Sequence, residues 1–252
     1  ACADDLIVIA RYGVGYNNVD LEVAREMGIT VTNTPGANAA AVAELTLALM
    51  LNLLRPIIPA AAQTRAGKWP RYKGFSLEGK VVGVVGCGAI GKEVVKRLAG
   101  FGCEILACDL YRDDGFADEH GFQYLQLENI LPRADLITLH LPGGENTRGL
   151  VDREFLQQMK EGSWLVNTAR GDLVVEDDLT DALLSGHLRG AALDVYAAEP
   201  PEPESPLLGL DQVIATPHMG AHADSATNAM GRMALDECLR VLQGKDPLYR
   251  VR

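Results

Sequence analysis

This 252-residue chain contains no C-x-x-C pair, no dense run of lysine or arginine and no long unbroken apolar stretch. Each absence excludes something. A membrane span needs roughly 18 uninterrupted apolar residues, and none is found, so a soluble globular protein is expected. The five cysteines (Cys2, Cys87, Cys103, Cys108 and Cys238) are odd in number and no signal-peptide pattern accompanies them. Reduced thiols in a cytoplasmic protein are expected. A net charge of −11 without a basic patch argues against nucleic acid as a partner, because binding a phosphate backbone relies on clustered cations. Low-complexity segments and short-period repeats are also missing.

What is present suits a two-lobed protein. With 252 residues, 48% of them hydrophobic, the chain can bury a substantial core in one large domain or two modest ones. Its opening, "ACADDLIVIARYG", has no initiator methionine and enters a strand-like run within a few residues, so a preceding segment is expected in the natural protein. Leu6 to Ala10 reads as a buried strand, Asp20 to Met27 as a short helix stopped by Gly28, and Ile29 to Thr32 as a second strand. From Asn38 to Arg65 the pattern is helical and very apolar ("AVAELTLALMLNLL"), with Pro56 and Pro59 each expected to end or kink a helix. A helix apolar all round must be covered, as a core helix linking two lobes, as a subunit interface, or as both.

After the loop "GKWPRYKGFSLEGK" a regular alternation begins. Strands are expected at Val81 to Val85, Glu104 to Cys108, Asp135 to His140, Ser163 to Asn167, Gly190 to Val195 and Val213 to Thr216. Helices are expected at Lys92 to Gly100, Asp152 to Met159 and Glu176 to Ser185, with a last one over His222 to Gln243. Alternating strand and helix with short loops predicts a doubly wound parallel sheet.

Within this pattern "VVGVVGCGAIGKEV" places Gly86, Gly88 and Gly91 in G-x-G-x-x-G spacing between an apolar strand and a helix. Such glycines allow a tight turn, close approach of a pyrophosphate and close packing of helix on strand, while the helix N-terminus offers free N–H groups. The motif alone is a weak signal; its strand–turn–helix setting strengthens it. Asp109 ends the next strand, where its carboxylate can accept hydrogen bonds from an adenosine ribose and repel a 2′-phosphate, favouring NAD over NADP. Arg112 nearby weakens that preference. Cys87 reads as a small residue that fits the turn.

Ligands of open parallel sheets bind beyond the carboxyl ends of the strands. Three loops place polar residues there: Arg170 in "WLVNTARGD", Glu199 in "ALDVYAAEPP" and His218 in "VIATPHMG". Singly, Arg170 suits a surface ion pair, Glu199 a proline turn and His218 an ordinary turn contact. Together they form a set for oxidising an alcohol next to a carboxylate: Arg170 to grip the carboxylate, His218 to exchange the hydroxyl proton, Glu199 to orient His218. The four-residue spacing of His218 and His222 in "TPHMGAH" invites a metal, but Met219 stands where H-E-x-x-H has its Glu and Gly220 weakens a helix between them. No metal is expected, and His222 is expected to open the last helix.

The motifs "GCGAIG", "NTARGDLVVEDDL", "GAALDVYAAEPP" and "TPHMGAH", in this order and spacing, resemble the D-isomer-specific 2-hydroxyacid dehydrogenases, nearly end to end. The resemblance implies a Rossmann NAD domain plus a smaller flavodoxin-like substrate lobe, apparently incomplete at its N-terminus, with catalytic Arg170, Glu199 and His218. It puts Ala89 and Ile90 on the cofactor pyrophosphate and Asp194 on the nicotinamide carboxamide, with Thr34, Leu141, Thr168, Ala169 and Gly220 at further cofactor positions. In "ARYGVGYNNVD" it implies that the Val14 and Gly15 amides receive the substrate carboxylate, and that Arg11 sits where phosphoglycerate dehydrogenases place a cation for the substrate phosphate. An NAD-dependent phosphoglycerate dehydrogenase type is the first choice. Hydroxypyruvate or glyoxylate reduction, D-lactate oxidation, and an NAD(H)-sensing corepressor-like role are the alternatives.

Residues 1–45 and 222–252 are expected to form the substrate lobe and 46–221 the NAD domain. Members of the family usually begin with about 50 further residues, and without them apolar surface should lie open on Leu6 to Ala10. The apolar segment Val42 to Ile58 predicts a homodimer.

Overall fold

The computed structural model describes residues 5–16 and 18–251. The first four residues, Asn17 within the loop read as substrate-binding, and Arg252 lie outside the described residues. The chain divides into two units, Val42–Gly220 and the pair Ala1–Ala41 with Ala221–Arg252.

In the smaller unit a short strand β1 (Val8–Ala10) leads to helix α1 (Leu21–Glu26) and a parallel strand β2 (Thr30–Thr32). Asp20 starts α1 by accepting the N–H groups of Glu22 and Val23 on its carboxylate, as an N-cap does. The strands are shorter than the apolar run suggests. Leu6 and Ile7 are 42% and 47% exposed and precede the ladder, and Val8–Ala10 are half-buried, so this run is not the buried strand expected from its apolar sequence. Helix α2 (Ala39–Leu54) begins in this unit and continues into the larger one.

Pro56 ends the apolar helical stretch, but Pro59 does not break the next helix. Helix α3 (Ile57–Arg65) holds Pro59 in its first turn, where a backbone N–H has no intrahelical acceptor to lose. No single helix among the described residues is long and apolar enough to cross a membrane; α2 and α3 together are, bent by 69° at the break.

The larger unit then runs through β3 (Val81–Val85), α4 (Ala89–Leu98), β4 (Glu104–Cys108), α5 (Asp114–His120), β5 (Gln123–Tyr124), α6 (Leu127–Ile130), β6 (Leu136–Leu139), α7 (Arg153–Gln158), β7 (Ser163–Asn167), α8 (Glu176–Leu184), β8 (Leu188–Leu193) and β9 (Val213–Ala215). The smaller unit resumes with α9 (Asp224–Leu242). Seven strands form one parallel sheet in the order β5-β4-β3-β6-β7-β8-β9. The order reverses between β3 and β6, the switch point at which doubly wound sheets bind ligands. Residues alternate between two cores: Val82 and Val84 pack with Val94, Val95 and Leu98 of α4 and with Met50 and Leu54 of α2, while Val85 packs with Leu156 of α7 and Leu179 of α8. Both faces are therefore covered by helices, the reason these strands are apolar throughout.

Some expected boundaries move. Helix α4 begins at Ala89, three residues before the expected Lys92, because Gly88 serves as N-cap and the first turn is built from the motif itself. Strand β8 begins at Leu188 and ends at Leu193, earlier at both ends than expected; Asp194, just past it, still donates its N–H to the Asn167 carbonyl at 2.9 Å while its carboxylate binds the loop after β9. His222 precedes α9 rather than opening it, since the N-cap is Ala223.

Candidate functional site

The glycine turn is shaped by what surrounds it. Gly86 has φ +93°, and a Cβ there would stand 2.7 Å from the His140 carbonyl carbon; a Cβ on Gly91 would stand 2.1 Å from the Gly86 oxygen. Only glycine fits such approaches. Above Gly88 the space is open, and as N-cap it has no side chain over the first-turn amides of α4, which begin at Ala89 and Ile90. This leaves a cradle of N–H groups at a positive helix end, suited to a pyrophosphate.

Asp109, just past β4, closes the cradle. Its carboxylate accepts the Cys87 N–H at 2.6 Å and the Tyr111 N–H at 2.8 Å, so it holds the turn. The neighbouring cations are spoken for: Lys92 pairs with Asp113, and Arg112 pairs with Asp114 at 3.2 Å with its guanidinium over the Tyr124 ring. Burial pushes the Cys87 thiol up, in keeping with a space-filling role.

At the other end of the sheet the three polar loops follow β7, β8 and β9, adjacent in the sheet. Glu199 and His218 meet: Oε2 lies 2.6 Å from Nδ1, both side chains partly exposed. With the glutamate ionised, Nδ1 carries the hydrogen and Nε2 is left to exchange a proton. The turn that carries Arg170 packs on the loop that carries Glu199, so tightly that a Cβ on Gly171 would stand 1.9 Å from the Tyr196 carbonyl carbon. The Arg170 guanidinium donates to the Ala169 carbonyl at 2.6 Å.

Several residues that hold this set escaped the sequence reading. Tyr196 donates its N–H to Glu199 Oε1 at 3.2 Å, and its hydroxyl lies 3.1 and 3.2 Å from the carbonyl oxygens of Leu193 and Thr216, bridging the ends of β8 and β9. Burial, then the nearby Asp194 charge, pushes the Tyr196 phenol up to about 12, so it stays a donor. Glu176 accepts the Ala197 N–H at 2.8 Å. Asn167 spans the Arg170 turn, accepting the Ala169 N–H and donating to the Arg170 carbonyl. Their only signal was that they lie within the quoted motifs.

Asp194 is 1% exposed, and the loop after β9 folds around its carboxylate. Oδ1 accepts the Thr216 hydroxyl at 2.6 Å and the Met219 N–H at 2.9 Å; Oδ2 accepts the Gly220 N–H at 2.8 Å. Between these donors His218 sits at φ +48°, a left-handed backbone that a histidine adopts only when its neighbours are held. Thr168 is buried with its hydroxyl 2.8 Å from that of Thr46, Ala169 is buried, and Leu141 packs half-buried after β6.

In the smaller unit Thr34 is fully buried and its hydroxyl accepts the Gly13 N–H at 3.1 Å, while Asn33 donates to the Val14 carbonyl at 2.8 Å. Neither the Val14 nor the Gly15 amide donates to an acceptor among the described residues. Arg11 curls over the same loop, Nη1 donating to the Tyr12 carbonyl at 2.6 Å, with Nε enclosed and unpartnered among the described residues.

A parallel sheet with this switch point and a glycine turn of this shape defines a dinucleotide-binding domain. Comparison with known families narrows the class: residues 47–220 match the model of the D-isomer specific 2-hydroxyacid dehydrogenase, NAD binding domain, and the chain belongs to that family. It is 44% identical to the D-3-phosphoglycerate dehydrogenase of Methanocaldococcus jannaschii over 96% of its own length and 47% of the relative's. It is 40% identical to the hydroxypyruvate reductase of Thermotoga maritima, covering 94% of this chain and 78% of that one. The TT0316 protein of Thermus thermophilus superposes with a TM-score of 0.91 at 41% identity, covering 99% of this chain and 80% of that one. The chain thus spans about half the length of the phosphoglycerate dehydrogenases it matches.

Proposed function

We propose that this chain is an NAD-dependent dehydrogenase of D-2-hydroxy acids, with 3-phosphoglycerate and phosphohydroxypyruvate as the first-choice pair. The observation that carries the proposal is the 2.6 Å contact of Glu199 with His218 beyond the strand ends of a sheet that also bears the nucleotide cradle. NAD, when bound, supplies the hydride acceptor. His218 takes the hydroxyl proton on Nε2, and Glu199 stabilises the imidazolium that results. Arg170 grips the carboxylate and polarises the oxygen on C2. Reduction of the 2-oxo acid uses the same groups in reverse.

For the cofactor, Gly86, Gly88, Ala89, Ile90 and Gly91 take the pyrophosphate and Asp109 the ribose. Lys92 and Arg112 are engaged in internal pairs, which supports NAD over NADP. Asp194, Thr168, Ala169, Gly220 and Leu141 shape the nicotinamide end, and Thr34 is a further cofactor position. The smaller unit, assigned as the substrate lobe, contributes the Val14 and Gly15 amides for the carboxylate, and Arg11, whose Nε lacks an acceptor among the described residues, for the phosphate. The relative named D-3-phosphoglycerate dehydrogenase favours that substrate, and the one named hydroxypyruvate reductase supports the unphosphorylated alternative.

The apolar segment Val42 to Ile58 is assigned as a homodimer interface, in support of which Ile57 and Ile58 are each 55% exposed. A cytoplasmic location belongs to the same proposal; burial pushes the thiols of Cys87, Cys103 and Cys108 up.

The test is NADH oxidation with a panel of 2-oxo acids that includes phosphohydroxypyruvate, hydroxypyruvate, glyoxylate and pyruvate. Preference for the phosphorylated acid, lost in Arg11→Ala, supports the full assignment. Tight NADH binding with no turnover on any member overturns it in favour of an NAD(H) sensor. A His218→Ala variant with wild-type turnover refutes the proton-transfer role.

A further inference from the structure

Arg170 stands in a turn whose other residues are all fastened, and one fastening comes from far away in the chain. The Thr46 hydroxyl, fully buried on α2, lies 2.8 Å from the Val42 carbonyl and 2.8 Å from the Thr168 hydroxyl. Thr46 has one proton to give, and a carbonyl can only accept, so both contacts are satisfied in one way alone. Thr46 donates to Val42, and Thr168 donates to Thr46.

The chain of bonds therefore has a direction, and it pins the residue two before Arg170 to a helix core. Asn167 braces the turn from inside, and Gly171 seats it on Tyr196. We infer that Thr46 is a positioning residue for Arg170, acting through the Thr168 hydroxyl to hold the turn in its working shape before any ligand arrives. This rests on the reading of Arg170 as the group that grips the substrate carboxylate. A guanidinium grips a carboxylate in a planar fork, so a small rotation of its turn weakens the grip without disturbing the remote glycine cradle.

The test compares Thr46→Val, Thr46→Ser and Thr168→Val, with the double Thr46→Val/Thr168→Val. Valine keeps the shape of threonine and removes the acceptor, leaving the Thr168 hydroxyl a buried donor with nothing to bind. Hydrogen exchange of the peptide covering residues 166–173 needs neither cofactor nor turnover. In Thr46→Val it should quicken about tenfold, the factor carried by one buried hydrogen bond, while exchange across β3 stays unchanged. In parallel, KM for the preferred 2-oxo acid should rise about tenfold while NADH affinity, read by fluorescence, falls by less, because only the nicotinamide end at Thr168 and Ala169 is touched and the glycine cradle is not. Thr46→Ser should restore both readouts, and the double variant should be no worse than either single, as expected of two ends of one bond.

Unchanged exchange at 166–173 in Thr46→Val overturns the inference. So does a Thr46→Ser variant as impaired as Thr46→Val, which would assign the effect to the packing of the side chain rather than to the hydroxyl contact. A wild type with no turnover on any 2-oxo acid refutes the dehydrogenase reading instead, and the exchange measurement then decides the positioning alone.

Discussion

Asp194→Asn should separate shape from charge in the His218 loop. The carboxylate takes three donors, two from backbone amides that follow the left-handed residue and one from Thr216 before it. Asparagine has the same outline but one acceptor oxygen. If that oxygen keeps Thr216 and Met219, the new NH2 faces the Gly220 N–H, donor against donor. The substitution thus removes a charge-assisted bond and leaves a buried N–H unpaired, about 2 to 4 kcal/mol together. For a chain of this size the melting temperature should fall by roughly 5 to 12 °C.

The kinetic effect follows from the backbone. A left-handed residue costs about 1 to 2 kcal/mol, so once the Gly220 bond is lost His218 should spend most of its time in an ordinary conformation, and turnover should fall about tenfold or more. Calorimetry, kcat for the preferred 2-oxo acid and exchange rates of the Met219 and Gly220 amides together measure this. A variant with wild-type melting, turnover and exchange would show that the carboxylate does not hold the loop, and the reasoning would fail.

Four further outcomes are expected. Glu199→Gln should keep the loop contact but lose the charge that stabilises a protonated His218, lowering kcat about a hundredfold with little change in NADH affinity; kinetics with fluorescence titration check it. Gly91→Ala, whose Cβ would stand 2.1 Å from the Gly86 oxygen, should cost about 2 to 3 kcal/mol and abolish NADH binding; a variant that binds normally would contradict the cradle. Burial of Asp135 opposes its ionisation, but Lys160 at 2.7 Å and the Val81 N–H at 2.9 Å outweigh it and hold the carboxyl below its ordinary value. Its stabilisation is therefore present above the unfolded value near 3.9 and lost as pH falls below that, so Asp135→Asn should be less stable at pH 7 but nearly level with wild type at pH 2. Desolvation lowers His140 from 6.5 to about 3, so the unfolded chain binds a proton there that the folded one refuses. Stability should decline as pH falls from 6.5 toward 3, and His140→Gln should flatten the slope of melting temperature between pH 6.5 and 5.

The strands of the large sheet were legible because they are apolar on both faces, as parallel strands under two helical layers must be. Helix α5, in "DDGFADEHG", was not, since among its residues only Ala117 is buried and the segment has no apolar stripe to reveal it. Strand β5 is two residues long and α6 four, too short for any period to show. At the site, Arg170, Glu199 and His218 stood out because each follows an apolar strand. Their supports did not: Thr46 meets Thr168 across 122 residues, and Asp194 reaches its donors across 22 to 26. Such pairings depend on which loop folds over which, and single-sequence periodicity carries no record of that. Proline was legible at residue 56 and misleading at 59, where position within the helical turn decides the outcome.

The hold of Asp109 on the glycine turn limits how the proposed cofactor preference can be rewritten. Replacing it with a neutral residue to admit a phosphorylated ribose also takes the acceptor from the Cys87 and Tyr111 amides, and so slackens the cradle needed by either dinucleotide. Lys92 and Arg112 are the cations nearest to hand, each now paired with a partly exposed carboxylate. A single substitution at 109 should therefore yield a protein poor with both cofactors. Any evolutionary or engineered passage between them has to change the turn, the acid and a cation pair in concert, with each intermediate weaker than its parent.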